Sequence, residues 1–214
     1  MSNRRPLLVL IEGMDCSGKS TVIAALAARL RAEGWAVRTI DGGSLAPEWV
    51  NRVRAWACRD RSFELLSDLA HRTGALVDRL TFAPGGADVV LQHSYVHRQL
   101  AFEMTTNGRL AQAWSRLMAR IAVRHEVRVL LTVEIDERIC RYHARGLRTE
   151  RKIQRFETAA GLERLRAMER TLERLAGEAG YVAIDTTGRS VEETVSAVRA
   201  EIDRRLRRPL RAAR

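Results

Sequence analysis

Apolar residues along the chain alternate between short continuous runs and helical repeats. Residues 7–11 form an unbroken apolar run, which is typical of a strand that is buried on both faces. The next segment carries Val22, Leu26 and Leu30 at the spacing of one helix face. Further strands are predicted over residues 35–40, 88–92, 127–135 and 181–185. Because strands and helices alternate, we expect a parallel sheet with helices on both faces.

The polar and apolar spacing also predicts the helices that connect these strands. They cover residues 48–57, 63–80, 96–124 with an interruption at 107–108, 136–144, 153–179 and 190–206. The last helix begins with Ser190 and has Glu193 three residues later, which is a capping box. With 214 residues and 46% hydrophobic content, the chain is expected to form a single domain around one core.

The segment between the first strand and the first helix has the spacing of a phosphate-binding loop, G-x-x-x-x-G-K-[ST], from Gly13 to Ser20. Its two glycines allow backbone N–H groups at a helix N-terminus to point at phosphate oxygens. Lys19 would reach the β- and γ-phosphates, and the Ser20 hydroxyl would bind Mg²⁺. Lys19 and Lys152 are the only lysines in an arginine-rich chain, which favours a specific role for a compact ammonium.

The net charge of +11 raises the question of nucleic-acid binding. Arginines are nevertheless spread along the whole chain, and the only dense basic cluster is the terminal segment 204–214. We therefore expect small phosphate-bearing ligands rather than nucleic acid.

The cysteine content and the hydropathy of the chain indicate in which compartment the protein is expected. The three cysteines are far apart and odd in number, which argues against a disulfide framework, and no Cys/His spacing indicates zinc. No signal peptide is visible, and no apolar run approaches the length of a membrane span. The expected location is the cytoplasm.

Residues 11–21, 133–157 and 182–193 are three stretches that together resemble the thymidylate kinase family of P-loop kinases. Residues 11–21 are similar to its E-G-x-D-x-x-G-K-[ST]-T opening, residues 133–157 to its helix, R-G turn and D-R-F-E lid, and residues 182–193 to its C-terminal part. The resemblance extends from about residue 8 to 202. It implies a P-loop NTPase fold with three α/β/α layers, a five-stranded parallel sheet in the order 2-3-1-4-5, and an arginine-rich lid at about 145–155. It also implies a homodimer that associates through the long helices.

The resemblance further implies an ATP site with Mg²⁺ on Ser20. The residues expected to hold ATP are those of the phosphate loop: Gly13, Asp15, Cys16, Ser17, Gly18, Lys19, Ser20 and Thr21. Family members carry an arginine either in this loop or in the lid. Because Cys16 occupies the loop position, the arginine is expected to come from Arg145, Arg148 or Arg151.

The acceptor half of the site departs from the family pattern. Asp15 is expected near the acceptor's sugar, and Arg72 near its phosphate. Where the family has D-R-[YH], residues 93–95 are His-Ser-Tyr, so both the aspartate for Mg²⁺ and the arginine for the acceptor phosphate are absent. Asp68 replaces an aromatic residue that stacks on the base, and a carboxylate instead accepts hydrogen bonds from hydroxyl or amine groups.

Other residues complete the list of acceptor-site candidates. His93 is either a general base for an alcohol acceptor or a histidine with a structural hydrogen bond. Asp41 lies at the C-terminal edge of a predicted strand, where ligands bind in such sheets. The candidates for substrate binding are Asp15, Asp41, Asp68, Arg72, Tyr95 and Arg98.

Three functions are compatible with these residues. The first is an ATP-dependent phosphotransferase for a nucleotide or nucleoside-like acceptor other than dTMP, with a kinase of a non-nucleotide secondary metabolite as its variant. The second is a catalytically silent ATP-binding regulatory protein, because the D-R pair is missing. The third, a nucleic-acid binder, rests on the net charge alone.

Overall fold

Within the residues that the computed structural model describes, the chain forms five strands and seven helices with defined bounds. The structure describes residues 5–41, 45, 52, 74–106, 108–146 and 149–207, with the side chains of residues 150 and 151 excepted. The strands are β1 (Leu7–Gly13), β2 (Val37–Ile40), β3 (Val89–His93), β4 (Val127–Thr132) and β5 (Val182–Asp185). The helices are α1 (Lys19–Ala32), α2 (Val96–Thr106), α3 (Arg109–Ile121), α4 (Ile135–Ala144), α5 (Glu150–Phe156), α6 (Ala159–Glu178) and α7 (Val191–Arg207), and residues 74–81 are also helical.

All five strands are parallel and lie in the order β2-β3-β1-β4-β5, which confirms the expected sheet. The central strand β1 pairs with β3 on one side, where Ile11 is opposite His93, and with β4 on the other, where Gly13 is opposite Leu131. The chain leaves β1 toward β2 in one half of the sheet and later crosses from β3 to β4 in the other half. The loop after β1 therefore lies at the switch point where ligands bind in open parallel sheets.

Apolar side chains cover both faces of the sheet, as the unbroken run in β1 predicts. On one face, Val9 and Ile11 belong to a buried cluster with Leu26 of α1 and Val198 of α7. On the opposite face, the alternate residues Leu8 and Leu10 belong to a second cluster, which also contains residues of α3. Burying each large aliphatic side chain contributes roughly 1.5–3 kcal/mol, so both helix layers hold β1 in place.

The predicted helix over residues 153–179 is wrong in one respect, because the chain forms two helices, α5 and α6. Thr158 caps α6, and its Oγ1 accepts a 3.0 Å hydrogen bond from the Gly161 N–H. A Cβ atom at Gly161 would lie 2.0 Å from the Gln154 carbonyl oxygen. A residue without a side chain allows this close approach, and the chain turns here between α5 and α6.

Several other boundaries shift by a few residues. The strand predicted over 127–135 ends at Thr132, and the helix expected at residue 136 begins at Ile135. The capping box at α7 is confirmed, since the Glu193 N–H donates to Ser190 Oγ at 3.1 Å and the Ser190 N–H donates to Glu193 Oε2 at 2.8 Å. Most of the helix predicted over 48–57, and the first part of that over 63–80, lie outside the described residues. Within the described ranges, no helix combines the length and apolar character that crossing a bilayer requires.

Candidate functional site

The phosphate loop joins the end of β1 to the start of α1 and has two glycines that no other residue replaces without strain. A Cβ atom at Gly13 would lie 2.5 Å from the Leu131 carbonyl oxygen and 2.6 Å from Ser17 Oγ. Gly18 precedes α1 with φ of +90°, a conformation that side chains disfavour. The expected tight turn is therefore present, and it brings the N-terminus of α1 to the C-terminal edge of the sheet.

Lys19 is buried beneath this loop. Its Nζ donates a 2.6 Å hydrogen bond to the Met14 carbonyl oxygen, and the side chain is almost inaccessible to solvent. Burial lowers the pKa of Lys19, and the positive charge of Arg98 lowers it further, whereas Asp15 and Glu12 oppose the shift. The negative charge of a bound phosphate would stabilise the protonated form of a lysine in this position.

Glu12 is a buried carboxylate near the end of β1, where it is a possible substitute for the carboxylate that would hold Mg²⁺. Its Oε2 accepts a 3.0 Å hydrogen bond from the Tyr95 N–H, and its Oε1 has no hydrogen-bond partner among the described residues. Burial raises the pKa of Glu12, although the Tyr95 N–H and the charges of Lys19 and Arg98 favour the ionised form. The Glu12 side chain thus ties the end of β1 to the turn that follows β3.

That turn contains the His93-Ser94-Tyr95 segment. Ser94 adopts φ of +57°, which is uncommon for a residue with a side chain, and its N–H donates to the Ile11 carbonyl oxygen at 3.1 Å. The Tyr95 ring is buried in the cluster that contains Leu10 and lies edge-on to His125, with 5.5 Å between the ring centroids. A direct contact of Tyr95 with substrate remains a prediction.

His93 meets the phosphate loop at Ser20. Its Nε2 lies 3.3 Å from Ser20 Oγ, so the imidazole is close to the position where a loop-bound cation is expected. Burial lowers the pKa of His93, and the charge of Lys19 acts in the same direction against the effect of Asp41. His93 is therefore neutral near pH 7, a state that fits either of its predicted roles.

The donor set at Ser20 suits a cation that arrives with a nucleotide. Mg²⁺ commonly keeps several waters and binds phosphate oxygens, so one protein hydroxyl is a sufficient direct ligand. No group of three or more His, Cys, Asp or Glu side chains is arranged to hold a resident metal ion in the described part of the chain. Residues Ser20 and His93 thus fit nucleotide-borne Mg²⁺, with an imidazole where a carboxylate is expected.

Asp15 accepts hydrogen bonds from two arginines of different helices. Arg98 of α2 binds Asp15 Oδ1, and Arg155 of α5 binds Asp15 Oδ2. Burial raises the pKa of Asp15, but the charges of Arg98, Arg155 and Lys19 outweigh this effect and hold the pKa below its ordinary value. The ionised Asp15 therefore connects the phosphate loop to α2 and to the lid helix α5.

A cavity of about 370 Å³ lies beside the loop, on the side of the sheet that carries β4 and β5. Its lining includes loop residues, one face of α4 and the segment after β5: Cys16, Ser17, Gly18, Thr21, Val22, Glu137, Arg141, Ala144, Arg145, Thr186, Arg189, Ser190, Val191 and Thr194. Arg141 donates to the Thr186 carbonyl oxygen at 2.7 Å, and Glu137 Oε2 accepts from the Gly188 N–H at 2.7 Å. These bonds hold α4 against the segment after β5, and the cavity has the size of a small-molecule site.

The structure brings together part of the predicted site. Arg145 is exposed and lines the cavity, and Asp41 is exposed after the end of β2. Asp68, Arg72, Arg148 and the side chain of Arg151 lie outside the described residues, so their roles remain predictions.

Several residues that face the loop or line the cavity are not among those predicted from the sequence. Arg155 lies within the segment that resembles the lid motif, and that motif was the signal for it. Arg141 follows Glu137 by one helical turn and pairs with it, a spacing that indicates only a helix-surface ion pair. Thr186 and Arg189 lie between β5 and the Ser190 capping box, and neither is among the residues that carry the resemblance to the family in that stretch.

Comparison with known proteins finds a related sequence and related structures. No family model matches the chain. A thymidylate kinase from Thermomicrobium roseum is 30% identical over 145 residues, which cover 64% of this chain and 67% of that protein. The structure of a thymidylate kinase from Candida albicans aligns with a TM-score of 0.57 at 15% identity, over 94% of this chain and 92% of that chain. At this identity, the structural match shows the fold alone.

Proposed function

Because the chain belongs to the thymidylate kinase family, we propose that it transfers the γ-phosphoryl group of ATP to a small nucleotide-like acceptor other than dTMP. Family membership makes it a P-loop kinase, a phosphotransferase. The observation that carries the proposal is a complete phosphate loop with a buried Lys19, beside an acceptor side that differs from the family pattern.

The donor would occupy the loop and the neighbouring cavity. Backbone N–H groups of the loop and Lys19 would bind the phosphates, and the nucleoside would enter the cavity between Arg141 and Arg189. Mg²⁺, held by Ser20 and by the phosphates, would neutralise part of their charge. Arg145 at the cavity rim is the described lid arginine that would reach the phosphates.

The acceptor would bind on the other side of the loop, where the chain departs from its family. Residues at this side come after β3 and from the lid helix, and they include His93, Arg98 and Arg155. Ser94 leaves no arginine at the end of β3, which supports an acceptor different from dTMP. The same departure favours the catalytically silent ATP-binding protein as the second candidate.

Nucleotide binding by the loop is tested by thermal unfolding with the non-hydrolysable analogue AMP-PNP and Mg²⁺. The analogue should raise the Tm of the natural protein, and Lys19→Ala should remove most of this shift because the buried ammonium has no substitute. Lys152→Ala, the matched lysine in the lid, should retain it. An equal shift in the natural protein and the Lys19→Ala variant would argue against donor binding at this loop.

A homodimer is also part of the proposal, and an exposed apolar face of α3 supports it. Leu110 is 89% exposed, and Leu117 and Trp114 lie on the same helix with 46% and 39% of their surfaces exposed. A second copy would remove these side chains from water. Sedimentation equilibrium checks this proposal, since a mass equal to that of one 24.2 kDa chain would exclude it.

A further inference from the structure

His93 brings a ring nitrogen to the hydroxyl that is predicted to hold the nucleotide's cation. It is the last residue of β3, which runs parallel to β1 with Ile11 opposite His93. Its Nε2 lies 3.3 Å from Oγ of Ser20, a residue of the first turn of α1. Ser20 is exposed and His93 is half-buried, so the pair is accessible from solvent.

The distance between these two atoms matches two neighbouring positions around one octahedral cation. With ligand bonds of about 2.1 Å, neighbouring ligands in such a shell are about 3 Å apart. Ser20 Oγ and His93 Nε2 therefore need only a small approach to bind one cation together. The contact in the structure is a hydrogen bond between a hydroxyl and an imidazole, and the cation would take its place.

A nitrogen ligand changes which cation the site prefers. Mg²⁺ takes oxygen ligands, whereas imidazole nitrogen is a common ligand of first-row transition-metal ions. At sites made of nitrogen and oxygen ligands, affinity rises from Mn²⁺ through Fe²⁺ to Co²⁺. An imidazole beside the loop hydroxyl therefore adds affinity for these ions and little for Mg²⁺.

The charges around His93 suit a ligand that acts together with nucleotide phosphates. Asp41 directly follows β2, the strand that pairs with β3, and its negative charge acts on the His93 ring. A carboxylate beside a metal-binding imidazole commonly fixes the orientation of the ring. Lys19 and Arg98 act on the same ring with positive charge, which the phosphates of a bound nucleotide would offset.

We propose that Ser20 and His93 together bind the divalent cation that arrives with the nucleotide, and that the imidazole makes this site select a first-row transition-metal ion over Mg²⁺. The proposal rests on the proposed function, because the nucleotide's phosphates and water supply the remaining ligands. Mg²⁺ would bind through Ser20 and the phosphates, with His93 outside its inner shell. His93 is then the residue that sets the cation specificity of the kinase.

Thermal unfolding with AMP-PNP at increasing Mg²⁺, Mn²⁺ or Co²⁺ measures this preference. For each cation, the concentration that gives half of the AMP-PNP-induced Tm shift is determined, and the ratio of the Mg²⁺ value to the Co²⁺ value is the selectivity. His93→Asn should lower this ratio by about tenfold or more, because even the loss of an outer-shell partner changes metal affinity by about 10–100-fold. The Mn²⁺ value of the natural protein should lie between the other two.

The ratio and a second variant control this measurement. Taking the ratio within each variant cancels effects on folding or nucleotide affinity that are common to the cations. The cations also differ in their affinity for the nucleotide itself, but this difference is the same in all variants. His143→Asn, at an exposed histidine of α4, should keep the selectivity of the natural protein.

Pulsed EPR of bound Mn²⁺ shows directly whether a histidine nitrogen is a ligand. The analogue AMP-PCP is used for this experiment because it has no bridging nitrogen. The natural protein should give a nitrogen coupling that changes when its histidines carry ¹⁵N, and His93→Asn should lose this coupling while His143→Asn retains it. A histidine that forms only a structural hydrogen bond would give no such coupling.

The outcomes separate this proposal from the proposed function. Equal selectivity in the natural protein and in His93→Asn, or bound Mn²⁺ without a coupling to histidine nitrogen, would overturn the role of His93 while leaving donor binding intact. Absence of an AMP-PNP-induced Tm shift with all three cations would overturn the proposed function itself.

Discussion

Ser20 and His93 form the contact at which this chain differs most clearly from the expected cation site. A hydroxyl and a neutral imidazole are 3.3 Å apart, at the position where the family resemblance places a carboxylate for Mg²⁺. Mg²⁺ prefers oxygen ligands and retains its waters strongly. We therefore expect the natural protein to depend on the nucleotide's own phosphates for most of its Mg²⁺ affinity.

Restoring a carboxylate should strengthen Mg²⁺ binding. In His93→Asp, the Mg²⁺ concentration that gives half of the AMP-PNP-induced Tm shift should fall by about threefold to tenfold, because a negative charge lies close to the cation. His93→Asn is the matched control, because asparagine has nearly the same shape as aspartate but carries no charge. Equal Mg²⁺ dependence in the two variants would contradict the assigned cation position.

Local residues of the site could be predicted from sequence, and distant pairs could not. Gly13, Gly18 and Lys19 lie within one motif whose spacing fixes its own geometry. The contacts of Asp15 join residues that are 83 and 140 positions apart in the sequence, with Arg98 and Arg155 respectively. Only the packing of α2 and α5 around the loop brings these charges together, and no periodicity encodes it.

At the scale of elements, the lid is a separate short helix whose angle to α6 depends on Gly161. Apolar residues recur at helical spacing before the break, at Ile153 and Phe156, and again after it, at Leu162 and Leu165, and no proline separates them, so the pattern alone predicts one long helix. The break depends on the Thr158 cap and on the approach of Gly161 to the carbonyl oxygens of Gln154 and Arg155. The resulting turn ends α5 directly after the segment that carries Arg155.

Adding one methyl group at this turn should disturb the lid. A Cβ atom at residue 161 would meet backbone oxygens at 2.0 Å and 2.7 Å, so Gly161→Ala should lower the free energy of unfolding by roughly 1–3 kcal/mol. Gly177→Ala is the control in the same helix, because nothing lies within 4 Å of its Cβ position and alanine favours helix by about 0.5–1 kcal/mol.

Urea denaturation of both variants measures these changes. The two substitutions should change the free energy of unfolding in opposite directions, and Gly161→Ala should be the one that destabilises the protein. Unchanged stability in Gly161→Ala would show that α5 and α6 move apart at no cost, and that the turn does not fix the position of Arg155.

At the scale of the whole molecule, the strand order places the loop after β1 at the centre of the sheet. The alternation of strands and helices predicted a parallel sheet, the family resemblance implied its order, and the structure confirms both. The loop after β1 lines the cavity with Cys16 and Gly18, and its Asp15 binds Arg98 and Arg155. Asp68 and Arg72 lie outside the described residues, so their roles stay predictions, as does the single domain.

Transfer of labelled phosphate tests the central claim most directly. Protein, Mg²⁺ and γ-labelled ATP are incubated with a panel of nucleoside monophosphates, and the products are separated so that acceptor phosphorylation is distinguished from ATP hydrolysis. The account predicts label in the diphosphate of at least one acceptor, with dTMP a poorer acceptor and Lys19→Ala inactive. Label that appears only as inorganic phosphate, or that stays in ATP while ATP still raises the Tm, would contradict it.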